Sequence, residues 1–359
     1  MWLIFSVVFV VAVSIVDYKT GSEISVSFFY LLPIGLATWR LGTVTGVVTS
    51  FLCLAGWLGA YLLNEPYYAY SRPWILYWNV AVEIAIFLSL TFLLSAVRSG
   101  LRKERALAQQ VTAAYRLLDD EMRSVGELQR SFLPTRLPDV PGFRFAVHYA
   151  TSTRAGGDYY DFFPLGDGRL GLLIADASGH GAPAAVLMAM MRLLVHADAA
   201  ALARPEKVLE SANAYLAPNI PDEQFLTACY AVLDPERRQV EYALAGHNRP
   251  YLVRRGSMEI EELDSPTGLP LGMFDSSSYE RLTAQVGHGD TLLFYTDGLT
   301  EALDGGGNFF GEERVKRILR ECRDREPSEI KERLLAELNQ HVGKGALSDD
   351  VTLVLVQTL

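Results

Sequence analysis

The sequence predicts a composite fold: a bundle of membrane-spanning helices, a helical linker, and an α+β domain of antiparallel sheets flanked by helices. Three observations carry this. Residues 1–97 hold only seven charges (Asp17, Lys19, Glu23, Arg40, Glu65, Arg72 and Glu83), and the other 67 of the 74 fall in 98–359. Residues 101–132 lack proline and repeat apolar side chains in steps of three and four, the mark of an amphipathic helix. After Pro141-Gly142 the pattern turns to short apolar runs, with strands outnumbering helices and several short turns between them. The boundaries are 1–97, 98–133 and 134–359. A hydrophobic third fused to a charged two-thirds excludes a simple soluble enzyme, a disordered chain and a protein embedded from end to end.

The first part contains four apolar runs: 1–16, 24–39, 43–63 and 74–97. The last two, of 21 and 24 residues, can cross ~30 Å of hydrocarbon at ~1.5 Å per residue. The first two need their flanks to do so. The first run lacks a basic leader and is followed by three more, so it reads as a span and not as a cleaved signal peptide. Arg98, Arg102, Lys103 and Arg105 follow the fourth run, and Arg40 lies in the tight second connection. Positive-inside bias then places the N-terminus and everything beyond 98 in the cytoplasm, in a multi-pass arrangement. The outer connections are short, so a stimulus must be sensed in the membrane or at its surface. Glu83, close to Asn79, is expected to face the bundle interior, and Pro33 to mark a kink.

In the linker, Leu107, Val111, Ala114, Leu118, Met122, Val125, Leu128 and Phe132 form the apolar seam. It suits pairing with a second copy as a coiled coil, and hence a homodimer. The alternative is a helix packed on its own domain. Pro134 and Pro138 end it.

Strands are expected at 144–152, 158–164, 169–177, 225–233, 239–245, 250–255, 290–296 and 351–357, and helices at about 182–200, 204–217, 311–323 and 328–342. Net charge over 98–359 is 29 − 38 = −9, which repels phosphate backbones and argues against nucleic-acid binding. Cys53, Cys229 and Cys322 are far apart and support neither a disulfide framework nor a zinc site. The chemistry sits where strands end. Asp158 closes Ala155-Gly156-Gly157-Asp158, Asp176 ends an apolar run, Asp297 follows Tyr295-Thr296, and Asp349-Asp350 precede the last strand. Acidic corners beside small residues are what a hard divalent cation requires.

The ordered strings Leu128-Gln129-Arg130-Ser131-Phe132-Leu133-Pro134, Gly156-Gly157-Asp158-Tyr159-Tyr160-Asp161, Asp176-Ala177-Ser178-Gly179-His180-Gly181, Ala245-Gly246-His247-Asn248, Tyr295-Thr296-Asp297-Gly298 and Asp349-Asp350-Val351-Thr352 resemble the SpoIIE/RsbU branch of PPM (type 2C-like) Ser/Thr protein phosphatases. The resemblance implies an αββα sandwich holding two Mn²⁺ or Mg²⁺ ions. It implies metal ligation by Asp158, Asp176, Asp297 and Asp349 with the Ala177 carbonyl, and hydrolysis by a hydroxide shared between the metals. Asp161 and Asp350 would bind through water or only shape the site. Where the type 2C pattern has a His two residues after the bridging Asp, this chain has Ser178, so His180 becomes the candidate leaving-group acid. Arg154 is a candidate phosphate grip, and His247 reads as structural. The implied substrate is a phosphorylated regulatory protein of the STAS-type anti-sigma-factor antagonist class, met at a bacterial inner membrane. A membrane signalling scaffold with a degenerate phosphatase fold is the alternative. A diguanylate cyclase, suggested by Gly156-Gly157-Asp158-Tyr159-Tyr160, is disfavoured by the strands on both flanks.

Overall fold

The computed structural model describes the chain except residues 21–25, 69–71, 73, 167, 199–200 and 264–267 and the side chains of 64–68. The chain divides into two compact units, Met1–Tyr115 and Arg116–Leu359.

The first unit is helical: α1 (Trp2–Thr20), α2 (Leu31–Leu41), α3 (Thr43–Tyr68) and the start of α4 (Trp74–Ser131). Among the described residues, α1, α3 through Leu63 and α4 are long and apolar enough to cross a membrane. The second apolar run is shorter than expected: α2 has 11 residues, about 17 Å at 1.5 Å per residue. Its expected start at 24–25 lies outside the described residues. Pro33 sits in the first turn of α2, where a missing N–H leaves no hydrogen bond unmade, so it starts a helix and does not kink one. Val10, Val13, Tyr30, Ile34, Cys53 and Phe87 form a small core, while Ile4, Leu63 and Trp78 point outward. Glu83 is half-buried. Arg98 caps α2, donating to the Thr38 carbonyl at 2.9 Å and the Arg40 carbonyl at 3.2 Å.

The second unit is a sandwich of two five-stranded antiparallel sheets. One has the order β1 (Phe143–Ala150), β10 (Val351–Thr358), β9 (Thr291–Tyr295), β6 (Tyr251–Val253), β7 (Ile260–Glu262). The other runs β2 (Tyr159–Pro164), β3 (Leu170–Ala177), β4 (Leu226–Asp234), β5 (Gln239–Ala245), β8 (Leu282–Gln285). Period-2 alternation builds the layers. Leu172, Ile174, Cys229, Phe294 and Val354 meet between the sheets. Tyr159, Phe163, Leu173 and Ala175 turn outward onto α5 (Ala182–Ala197) and α6 (Pro205–Leu216). Tyr295, Leu353 and Leu355 face α7 (Glu312–Glu321) and α8 (Pro327–Val342). This is the expected αββα order. The eight expected strands are present, and the two short strands β7 and β8 are additions at sheet edges.

The end of α4 belongs to this unit. Leu107, Val111 and Leu118 are exposed, whereas Met122 and Val125 are half-buried and Gly126 and Gln129 buried. From Asp119 onward the helix therefore packs on its own domain.

Candidate active site

Hairpin and sheet geometry bring the acidic strand ends together. β2 and β3 pair so that Tyr159 lies opposite Ala175, which sets Asp158 and Asp176 side by side at one end of the sheet. β9 and β10 pair in the other sheet and deliver Asp297 and Asp349-Asp350 to the same end. Asp158 is 1% exposed. Its Oδ2 accepts from Thr296 Oγ1 at 2.7 Å and Thr352 Oγ1 at 2.5 Å, so one carboxylate is held by both strands of the opposite sheet. Asp350 accepts from the Ser152 amide at 2.8 Å on Oδ1 and from the Gly157 amide at 2.7 Å on Oδ2. With both oxygens engaged, it shapes the 152–157 loop. Gly157 is required by close approach: a Cβ there would lie 2.6 Å from the Ala177 carbonyl oxygen, the backbone ligand candidate.

The electrostatics match this crowding. Burial pushes Asp158 above the usual carboxylate range, against hydrogen bonds from Thr352 and Thr296, and the charges of Asp350 and Asp297 add to it. Burial likewise raises Asp176, helped by Asp158, Asp297, Asp349 and Asp350. Asp297 is pushed up to about 6, by burial and then by Asp349 and Glu301. Desolvation raises Asp349. The Asp350 amide, which donates to it at 2.8 Å, pulls it back, and the Asp350 carboxylate and His180 act in opposite senses. Burial and mutual repulsion disfavour the charged forms of Asp158, Asp176, Asp297 and Asp349, and a divalent cation relieves that. Among the described residues, no three His, Cys, Asp or Glu side chains stand close enough to form a closed ligand set as they are. The all-oxygen donor chemistry nevertheless fits a hard cation.

Two sequence candidates fall elsewhere. Arg154 does not reach toward the corner: its guanidinium grips Asp119 of α4 at 2.8 and 3.1 Å. Asp161 projects from β2 to the α5 side, where it meets His196 Nε2 at 2.7 Å and Arg192 at 3.4 Å. Its alternation with Asp158's neighbours puts it on the outer face, so it supports α5. His180 stays at the site end, exposed on the loop before α5. His247 is buried, its Nδ1 2.8 Å from Thr227 Oγ1, and burial lowers it to about 4. That matches its structural reading.

Two contributions escaped sequence reasoning. Thr296 and Thr352 orient Asp158, and their only signal was a Thr near the acid at each strand end. Gln129 of α4 clamps the Gly156 backbone: Nε2 donates to the carbonyl at 2.6 Å and Oε1 accepts the amide at 2.9 Å.

Comparison with known proteins agrees with this geometry. The family model for Stage II sporulation protein E (SpoIIE) matches residues 166–359, a range that takes in Asp176, Asp297, Asp349 and Asp350. Protein IcfG of Synechocystis sp. is 26% identical over 277 residues, covering 70% of this chain and 43% of IcfG; the chain thus spans under half of that relative. Phosphoserine phosphatase RsbU of Bacillus subtilis is 24% identical over 272 residues, covering 76% of this chain and 80% of RsbU. The SiaA-PP2C domain of Pseudomonas aeruginosa superposes with a TM-score of 0.60 at 24% identity, over 69% of this chain and 99% of that domain, which shows the same fold. Matched by its model over more than half of its length, the chain belongs to the SpoIIE family.

Proposed function

We propose that this chain is a membrane-anchored, divalent-metal-dependent protein serine/threonine phosphatase. Its substrate is a phosphorylated regulatory protein of the partner-switching kind, a STAS-type anti-sigma-factor antagonist. The observation that carries the reading is the convergence of Asp158, Asp176, Asp297 and Asp349 from four strand ends, with carboxylates raised by burial and mutual repulsion. Relatives named as phosphoserine phosphatases support the substrate type. Three helices long and apolar enough to span support membrane anchoring through residues 1–97, with the phosphatase domain at 134–359 on the cytoplasmic side of a bacterial inner membrane. Exposed Leu107, Val111 and Leu118 support pairing of α4 with a second copy.

Asp158, Asp176, Asp297, Asp349 and the Ala177 carbonyl would hold two Mn²⁺ or Mg²⁺ ions. When bound, such ions lower the pKa of water and offset charge on phosphoryl oxygens. The chain supplies orientation. Thr296 and Thr352 fix one oxygen of Asp158 and leave the other for the site, and Asp350 pins the Gly157 amide so that the loop keeps its approach to Ala177. His180, exposed at the same end, would give a proton from its ring to the departing seryl or threonyl oxygen.

The test uses the full chain in nanodiscs with Mn²⁺, p-nitrophenyl phosphate and a phosphorylated STAS-type domain. Asp176→Asn and Asp297→Asn should each lower turnover at least a hundredfold while the circular dichroism melt is retained. Near-wild-type turnover in either variant at saturating Mn²⁺ would overturn the site assignment, and a wild-type chain inert toward p-nitrophenyl phosphate would favour the scaffold reading.

A further inference from the structure

We infer that the loop 268–274 is a docking platform for the phosphorylated substrate, reading an apolar side chain about three residues from the phosphoserine or phosphothreonine. The inference rests on the phosphatase reading above and extends it to substrate selection.

Position comes first. Leu226 opens β4 and pairs with Ala177, next to Asp176, on one side. On its other side it is bridged to Leu271 by two backbone hydrogen bonds, of 3.0 and 2.8 Å. Two strand spacings of ~4.8 Å put the Leu271 backbone about 10 Å from the Ala177 corner. An extended substrate covers that distance in about three residues at ~3.3 Å each.

The loop is also held rigidly. Asn213 on α6, 1% exposed, donates from Nδ2 to the Phe274 carbonyl at 2.9 Å and accepts the Gly272 amide on Oδ1 at 2.9 Å. The Gly246 amide donates to the Gly268 carbonyl at 2.8 Å. A buried side-chain amide thus fixes backbone whose side chains face water: Leu269 is 50% exposed, Met273 44% and Phe274 53%. Burial alone would turn such side chains inward. Three neighbouring apolar groups, preorganised and outward beside a catalytic corner, have the composition and rigidity of an interface anchor. The acidic corner, once it holds divalent ions, would recognise the phosphoryl group, but it carries no information about the protein that bears it. An apolar contact one short peptide away supplies that information.

The test compares the wild-type chain and a Met273→Ser/Phe274→Ser variant, both in nanodiscs with saturating Mn²⁺. The substrates are p-nitrophenyl phosphate and two sets of phosphoserine peptides, with Leu or Ser three residues from the phosphoserine on either side. The wild type should favour a Leu-bearing peptide by about tenfold in kcat/KM, mainly through KM. The variant should lose that preference, keep its p-nitrophenyl phosphate turnover, and regain the preference when Phe274→Leu replaces Phe274→Ser. Equal use of both peptide sets by the wild type, a preference that survives in the variant, or a parallel loss of p-nitrophenyl phosphate turnover would each overturn the platform. In those cases the wild type still turns over p-nitrophenyl phosphate, so the phosphatase reading stands. A wild type inert toward every substrate removes that reading, and the platform with it.

Discussion

Gln129→Leu isolates what the end of α4 does for the catalytic loop. The side chain is 3% exposed, and its amide makes two hydrogen bonds to Gly156, of 2.6 and 2.9 Å. Leucine keeps much of the volume and removes both bonds, which leaves a buried N–H and a buried C=O unpaired. Each such group costs ~1–3 kcal/mol, so the local loss is about 2–4 kcal/mol once the loop relaxes toward water. The strain falls on Gly156, one residue from the amide that Asp350 holds and two from Asp158. If roughly 1.4 kcal/mol of it reaches the acidic corner, the Mn²⁺ concentration for half-maximal p-nitrophenyl phosphate hydrolysis rises about tenfold. The assay pairs that Mn²⁺ titration with hydrogen exchange over residues 152–158, which should speed up by a similar factor or more. Unchanged Mn²⁺ activation together with unchanged exchange would show that the Gln129 clamp does not hold the loop, and would refute the reasoning.

The acidic corner and the linker helix yield one further test each. Folding raises the pKa values of Asp158, Asp176, Asp349 and, to about 6, Asp297, so the folded, metal-free chain binds more protons than the unfolded one. These groups therefore favour folding fully below about pH 4, their ordinary range, and that contribution is lost as pH rises through 6 and beyond. In thermal melts with chelator, Asp297→Asn should gain stability relative to wild type between pH 4 and 7, and Mn²⁺ should erase the gain; a difference that shrinks as pH rises would contradict the assignment. One Ala inserted after Ala113 turns the downstream chain by ~100° and should change phosphatase rate severalfold in proteoliposomes, while seven inserted residues restore phase. A flat series over one to seven insertions would refute α4 as a rigid transmitting element.

The parts of this molecule that were legible in its sequence are those written in local pattern. Period-2 runs gave the strands, and the acidic corners stood at the ends of such runs beside small residues: Asp158, Asp297 and Asp349 beside Gly, Ser or Thr, and Asp176 between two alanines. What pattern does not encode is the partner. Thr296 and Thr352 hold Asp158 from 138 and 194 residues away, and Asp161 reaches His196 across 35 residues. The edge strands β7 and β8 are only three and four residues long, too short for alternation to show.

The linker helix shows most clearly why apolar periodicity is a partial guide. The face of α4 that meets the domain carries Asp119, Met122, Gly126 and Gln129, spaced by three, four and three residues. It is as regular a helical stripe as the apolar seam, but it is built from an ion pair to Arg154, a half-buried Met, a glycine and an amide clamp. A Cβ on Gly126 would lie 1.9 Å from the Arg154 carbonyl oxygen, so the helix backbone can come this close to the loop there only because the residue is glycine. The spacing of apolar residues does not register such a stripe, because its contacts are made largely with backbone and by polar groups. Docking by polar and small residues leaves Leu107, Val111, Leu118 and Leu128 exposed on the same helix. The seam is therefore open for pairing with a second copy upstream of Asp119, while at Met122 and Val125 it merges with the face that holds the catalytic loop. The insertion series therefore asks whether a rotation of α4 is felt at Arg154 and Gly156, where this face of the helix touches the loop that precedes Asp158.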